Sequence, residues 1–142
     1  MLKLSKKLEY ALIILRHLSD SKDQIITAKE ICDKFSTPFD TTSKVLQSLN
    51  QEGLISSKQG ARGGYCLEIT LETISFLELA QIIEPRLPAI DCIQEGKQCE
   101  QASTCNIITP MQQLNDHLNG FLNSLTLEQL FASNLSWNKQ AI

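Results

Sequence analysis

Three cysteines in the C-terminal half of the chain stand close enough together to hold a single metal centre. Cys92, Cys99 and Cys105 fall within 14 residues, separated by six and five residues. Zinc sites usually contain C-x2-C pairs, which are absent from this stretch. Three thiolates spread along a flexible loop can instead surround a larger group such as an iron–sulfur cluster. Because a cluster is usually held by four ligands, one ligand has to come from elsewhere.

The loop contains no histidine that would complete this set or activate a cysteine as a nucleophile. The sequence places both histidines, His17 and His117, on predicted helices. A cysteine enzyme needs a base beside its thiolate, so the pattern argues against an enzyme. Cys32 and Cys66 fall in a predicted helix and a predicted strand, where small buried hydrophobic residues are common. We interpret both as structural.

The composition indicates a protein that keeps its thiols reduced. Five cysteines are an odd number, and 142 residues can form a core without disulfide crosslinks. No apolar run reaches the roughly 18 residues of a membrane span, and the N-terminus leads into an amphipathic pattern rather than a leader. We therefore expect a cytoplasmic protein without a membrane association.

Charge is distributed unevenly along the chain, although the net charge is only −3. Residues 1–62 contain ten Lys or Arg against seven Asp or Glu, a balance of +3. Residues 63–142 contain three against nine, a balance of −6. This asymmetry indicates that the N-terminal half is the part that meets a polyanion.

The order of the predicted elements is that of a winged helix-turn-helix, a mainly α fold with a small β-hairpin wing. Hydrophobic periodicity and capping signals predict three helices and two strands. The helices cover residues 5–19, about 28–35 and about 38–52, and the strands cover 54–58 and 65–69. Thr37 is predicted to cap the third helix with Pro38 at its first position, and Gly53 to end it.

The C-terminal half continues with a fourth helix to about Glu84, the cysteine loop, a long helix from about Thr109 and a short last helix from Thr126. The apolar residues of the long helix follow spacings of three and four, which is a heptad-like seam. These residues are Met111, Leu114, Leu118, Phe121 and Leu125. We interpret the seam as a homodimer interface, and the alternative is burial against the helix's own domain.

The third helix presents a polar surface suited to DNA. Val45, Leu46 and Leu49 are predicted to be buried, while hydroxyl, amide and cationic side chains occupy the other face. Such groups make phosphate and base-edge contacts in a major groove. The candidate DNA-binding residues are Thr41, Thr42, Lys44, Gln47 and Ser48 on this helix, Lys58 and Arg62 on the hairpin, and Lys6 near the N-terminus.

The sequence resembles the family of bacterial winged-helix iron–sulfur regulators that includes IscR, NsrR and regulators of the SUF assembly system. The resemblance runs from Met1 to about Leu130, and residues 43–46 and 60–65 are most similar to the SUF regulators. Other matching residues are 4–5, 10–11, 53–57 and the three cysteines of the loop.

The resemblance implies a homodimer on a pseudo-palindromic double-stranded DNA operator, with the third helix in the major groove and the wing in the minor groove. It also implies that Cys92, Cys99 and Cys105 bind an iron–sulfur cluster. Members similar to IscR carry a histidine three residues after the third cysteine, where this chain has Ile108. Members similar to NsrR use a carboxylate on the first helix of the other subunit, and Glu9 occupies that position here. This set resembles that of [4Fe–4S] members more than that of [2Fe–2S] members.

Two alternatives accompany these expectations. The fourth ligand can instead be Asn106, a small thiol such as glutathione, or absent. The same three cysteines can also form reversible disulfides without any cluster, which gives a thiol-redox regulator of the same family. The resemblance further implies control of iron–sulfur assembly genes. The order of the predicted elements divides the chain into a DNA-binding domain, a cluster loop and a dimerisation region. These cover residues 1–84, 85–106 and 107–142.

Overall fold

The computed structural model describes residues 4–21, 24–60, 62–85, 100–101 and 103–132. Within these segments the chain forms six helices and a two-stranded antiparallel sheet. In chain order they are α1 (Lys6–Asp20), α2 (Ala28–Phe35), α3 (Phe39–Gln51), β1 (Ile55–Lys58), β2 (Gly64–Leu67), α4 (Phe76–Ile83), α5 (Ile108–Ser124) and α6 (Leu127–Phe131). The predicted fold class, mainly α with a β-hairpin wing, is confirmed.

Reciprocal side-chain caps start three of the helices. At the start of α2, the Thr27 hydroxyl accepts a hydrogen bond from the Glu30 backbone N–H at 3.1 Å. The Glu30 carboxylate in turn accepts from the Thr27 backbone N–H at 2.7 Å. Ser75 and Thr126 make the same arrangement at the starts of α4 and α6. Each pair satisfies two backbone N–H groups that a helix cannot satisfy itself, so these helices begin where their sequence signals indicate.

The turn between α2 and α3 differs from the prediction. Thr37 does not cap α3, because Pro38 occupies the cap position and no side chain bonds the first turn. The Thr37 hydroxyl is buried and accepts a hydrogen bond from the Thr42 hydroxyl at 2.8 Å. Ser36 ends α2 in the left-handed conformation, with φ of +53°. The turn is therefore held by a buried hydroxyl pair rather than by a surface cap.

A single apolar core joins α1, α3, α4 and α6. The predicted buried face of α3 is confirmed, since Val45, Leu46 and Leu49 expose 2% of their surface or less. Leu127 of α6 is fully buried in the same core, and its backbone N–H donates to the carbonyl of Ile74 at 3.0 Å. The last helix thus packs on the same core as the N-terminal helices.

A backbone bridge that the sequence did not indicate attaches the wing to the segment before α2. Ile26 and Tyr65 exchange two hydrogen bonds, with N···O distances of 3.0 and 2.8 Å. A Cβ atom on Gly64, the neighbour of Tyr65, would stand 2.7 Å from the Ile26 carbonyl oxygen. Only glycine allows this close approach, so Gly64 fixes the orientation of the wing relative to the helix-turn-helix.

The longest helix, α5, has 17 residues and none of them is buried. It leaves the core between α4 and α6, where the Phe76 backbone N–H donates to the Leu125 carbonyl at 2.8 Å. In the segments that the structure describes, no helix is long and apolar enough to cross a membrane.

Candidate nucleic-acid interface

The outer face of α3 presents the polar side chains that the sequence predicted, with one exception. Lys44 and Gln47 are exposed, and Thr41 and Ser48 are half-buried. The Ser48 hydroxyl donates to the Lys44 carbonyl at 3.1 Å, so its proton is already engaged within the helix. Among the described residues Lys44 has no ion-pair partner, which leaves its ammonium group available to an anion.

The exception is Thr42, for which the prediction of a surface position is wrong. Thr42 is fully buried and its hydroxyl donates to Thr37. Residues three and four positions apart share one face of a helix, and Thr42 stands three residues before Val45 and four before Leu46. This spacing was the available signal that Thr42 belongs to the buried face.

A cleft of about 400 Å³ lies between the N-terminal half of α3 and the wing. Its lining residues are Phe39, Asp40, Ser43, Lys44 and Gln47 of α3 and Tyr65 of β2. Phe39, Ser43 and Gln47 are spaced four residues apart and form a ridge along α3 that faces Tyr65. Phe39, Ser43 and Tyr65 are not among the predicted DNA-binding residues, although the four-residue spacing on α3 could have indicated the first two.

The other three predicted DNA-binding cations lie on the wing and at the start of α1. Lys58 ends β1 opposite Gly64, Arg62 lies in the hairpin turn, and both are exposed. Lys6, at the start of α1, is exposed and its Nζ lies 2.6 Å from Oε2 of Glu9. The hydrogen bond and the negative charge of Glu9 raise the pKa of Lys6. Lys6 therefore stays cationic, but Glu9 offsets part of its charge.

The predicted metal ligands are placed only in part. Cys92 and Cys99 lie outside the described residues. Cys105 is half-buried and precedes the first residue of α5, Ile108, by three positions. The Glu9 side chain is 37% exposed. No group of three or more potential ligands comes together within the segments that the structure describes.

The other two cysteines lie within the winged domain. Cys32 is half-buried on α2, and Cys66 is half-buried on β2. The Cys66 sulfur lies 3.1 Å from the Ser56 hydroxyl oxygen of the paired strand. Their structural interpretation remains a prediction.

The predicted dimer seam lies on the surface of the single chain. Leu114, Leu118 and Phe121 are 48%, 37% and 48% exposed. Met111 and Leu125, at the two ends of the seam, are half-buried. Apolar side chains on one stripe of a long helix are normally covered in a folded protein.

A helix-turn-helix whose second helix carries a polar, cationic face beside a β-hairpin defines a winged-helix DNA-binding protein. The model of the Rrf2 family, described as an iron-dependent transcriptional regulator, matches residues 4–133. The chain therefore belongs to the Rrf2 family of DNA-binding transcriptional regulators, which confirms the resemblance drawn from the sequence.

Individual relatives agree with this assignment. The chain is 25% identical over 130 residues to the HTH-type transcriptional regulator IscR of Escherichia coli, covering 91% of this chain and 80% of that protein. It is similar in structure to CymR, the global cysteine regulator of B. subtilis, with a TM-score of 0.69, 25% identity and coverage of 92% and 96%. The structure of T. potens IscR has a TM-score of 0.66 at 19% identity, with coverage of 91% and 85%.

Proposed function

We propose that this protein is a homodimeric transcription regulator that reads a pseudo-palindromic operator and responds to an iron–sulfur cluster held by Cys92, Cys99 and Cys105. The DNA-binding part of this proposal is supported by the outer face of α3, where the exposed side chains of Lys44 and Gln47 lie beside the wing. Three fully packed residues on the inner face hold this helix rigidly, so its polar face is preorganised for a groove.

The exposed seam of α5 supports the dimer. Leu114 and Leu118 lie one helical turn apart and are 48% and 37% exposed in the single chain. Pairing two such helices covers both residues in each protomer, which stabilises association by the hydrophobic effect. A two-fold dimer carries two copies of α3 and therefore matches a pseudo-palindromic operator.

The donor chemistry fits an iron–sulfur cluster. Thiolates are the usual ligands of such clusters, and Cys105 offers a thiol that is neither deeply buried nor in a disulfide. The cluster would supply a group whose presence depends on iron, oxygen or nitric oxide. Cys105 stands three residues before α5, so its state bears directly on the start of the dimer helix.

Glu9 of the opposite subunit is the proposed fourth ligand, and the set favours [4Fe–4S] over [2Fe–2S]. Its carboxylate is partly exposed and pairs with Lys6 in the single chain. A carboxylate is a weaker ligand than a thiolate for the iron of a cluster, and ligation here also has to displace Lys6. Both features would make the bond between Glu9 and the cluster weaker than the three cysteine bonds, and a bond that breaks easily suits a sensor. We further propose that the regulated genes include those of iron–sulfur assembly.

A second candidate is a cluster-free regulator in which the loop cysteines form reversible disulfides. The similarity to CymR favours it, since that relative is described as a regulator of cysteine rather than of iron. Both candidates use the same DNA-binding surface and differ only in what the cysteine loop carries.

The test is purification of the full chain without oxygen, with its visible absorption spectrum and its iron and sulfide content. The cluster proposal expects a brown protein whose colour is lost in Cys92→Ala and kept in Cys66→Ala, the matched control on the wing. A protein that stays colourless after reconstitution with iron and sulfide contradicts the cluster and selects the thiol regulator. A coloured protein that shows no salt-dependent binding to duplex DNA contradicts the DNA-reading part.

A further inference from the structure

Phe39 is an aromatic residue on the DNA-facing end of α3 without an assigned role. It exposes 57% of its surface, the largest exposed fraction among the large hydrophobic residues that the structure describes. A phenyl ring left in water forfeits the free energy of burial, so its exposure at a binding surface suggests that a ligand covers it.

The groups around Phe39 are polar. The cleft beside it is lined by Asp40, Lys44 and Gln47 as well as by the ring itself. An apolar protein surface would have to bury these charges, which is costly. Because the Phe39 ring is surrounded by polar groups, it fits a ligand whose surface is polar apart from one small apolar group. In the major groove of DNA that group is the C5-methyl of thymine.

The backbone that carries the ring is held in a fixed position. Pro38 precedes it with φ of −63°, and the Pro38 carbonyl accepts from the Thr42 backbone N–H at 3.0 Å. Thr42 is itself anchored in the core through its hydroxyl bond to Thr37. Because the backbone of this turn is preorganised, only the side-chain torsions of Phe39 have to be ordered on binding, which favours a contact that discriminates between bases.

The neighbouring charge places the ring over bases rather than over the sugar–phosphate backbone. Asp40 is exposed and follows Phe39 directly. Its carboxylate repels phosphates, which carry the negative charge of DNA. The first residues of a recognition helix commonly reach base edges.

We propose that Phe39 is a specificity-determining residue that packs against the C5-methyl of a thymine in each half of the operator. The proposal rests on the proposed DNA-reading function and deepens it, since it names the base and the atom that are read.

The test begins with selection of tight binders from a random-sequence DNA duplex library, using the full-length protein purified without oxygen. Each thymine of the selected duplex is then replaced singly by deoxyuracil, which removes only the methyl group. The wild type is expected to lose about fourfold in affinity at the thymine that Phe39 reads, as for one buried methyl group.

Two variants complete the test. Phe39→Ala is expected to bind the thymine and deoxyuracil duplexes equally, while Phe39→Leu keeps part of the discrimination. Lys44→Ala, the control, weakens binding to both duplexes by the same factor and keeps their ratio. Circular dichroism confirms that each variant is folded, as the exposure of Phe39 leads us to expect.

The possible outcomes distinguish a failure of the proposed role of Phe39 from a failure of the proposed DNA-reading function. If the wild type enriches no sequence, the DNA-reading function fails, and the role of Phe39 fails with it. If a sequence is enriched but Phe39→Ala keeps the wild-type preference for thymine at every position, the role of Phe39 is overturned and the proposed function stands. The same conclusion follows if no thymine of the site is sensitive to deoxyuracil.

Discussion

Replacing Gly64 by alanine should loosen the wing by a predictable amount. The new Cβ would stand 2.7 Å from the Ile26 carbonyl oxygen and 2.8 Å from Cγ2 of Ile25. The carbonyl of Ile26 belongs to the backbone, so its contact with the new Cβ is relieved only by moving the strand. That movement weakens both hydrogen bonds between Ile26 and Tyr65. Each such bond contributes about 1 kcal/mol, and overpacking adds a cost of similar size.

We therefore expect Gly64→Ala to lower the free energy of unfolding by about 2–3 kcal/mol. For a chain of this length that corresponds to a fall in Tm of roughly 10 °C. The assays are chemical and thermal unfolding followed by circular dichroism. Operator affinity, measured well below Tm, should also fall, because the wing has moved relative to α3.

Two other glycines are matched controls. Gly120→Ala lies on α5 with no atom within 4 Å of the added Cβ, and it should raise stability by about 0.5–1 kcal/mol through helix propensity. Gly60→Ala is equally unhindered but has φ of +117°, so it reports backbone strain alone. If Gly64→Ala stays within about 0.5 kcal/mol of the wild type, the inference that close approach fixes the wing is refuted.

Three further predictions concern the seam, the turn and the pH dependence of stability. Leu118→Glu should weaken dimerisation by about 100-fold or more in analytical ultracentrifugation. It removes two leucines that the proposed dimer would bury and places two negative charges opposite each other, and an unchanged dimer contradicts the seam. Thr42→Val should lower the free energy of unfolding by about 1–2 kcal/mol by leaving Thr37 without its buried partner, whereas Thr41→Val, on the half-exposed side, should not. Hydrogen bonds from the Ser75 backbone N–H and hydroxyl hold the pKa of the Glu78 carboxyl below its usual 4.5. The contribution of these bonds to the free energy of unfolding is therefore fully present above pH 4.5 and is lost as the pH falls through the folded-state pKa. The difference in stability between wild type and Glu78→Gln should therefore shrink below about pH 4.5, and a difference that persists in acid excludes this origin.

The fold was predictable from sequence where the signals are local. Periodicity identified the buried face of α3, and the reciprocal caps at Thr27, Ser75 and Thr126 identified helix starts, because both effects act within one turn of helix. Contacts between distant residues carry no such signal. The bridge of Ile26 to Tyr65 was missed for this reason.

The candidate site was predictable only where side-chain type and exposure agree. Lys44 and Gln47 are polar residues on the polar face of a helix, so their type and their periodicity point the same way. Thr42 is a hydroxyl residue at a buried position, and Phe39 is an aromatic residue at an exposed one. Residue type alone would place the Thr42 hydroxyl on the surface and the Phe39 ring in the core, which is the reverse of what the structure shows. Glu9 is a different case, since its proposed role needs a second protomer.

The packing of the core indicates how sensing would reach the DNA. The buried core is formed by residues 8–83 together with Leu127, and it includes no described residue between 84 and 126. Loss of a cofactor from the cysteine loop would therefore leave each winged domain folded. Cys105 lies three residues before α5, while the C-terminal end of α5 is tied to the core through Leu125. A change at the loop would thus act on the start of α5 while its C-terminal end stays tied to the core. In the proposed dimer, loss of the proposed cofactor would therefore alter the spacing of the two α3 helices rather than the stability of either one.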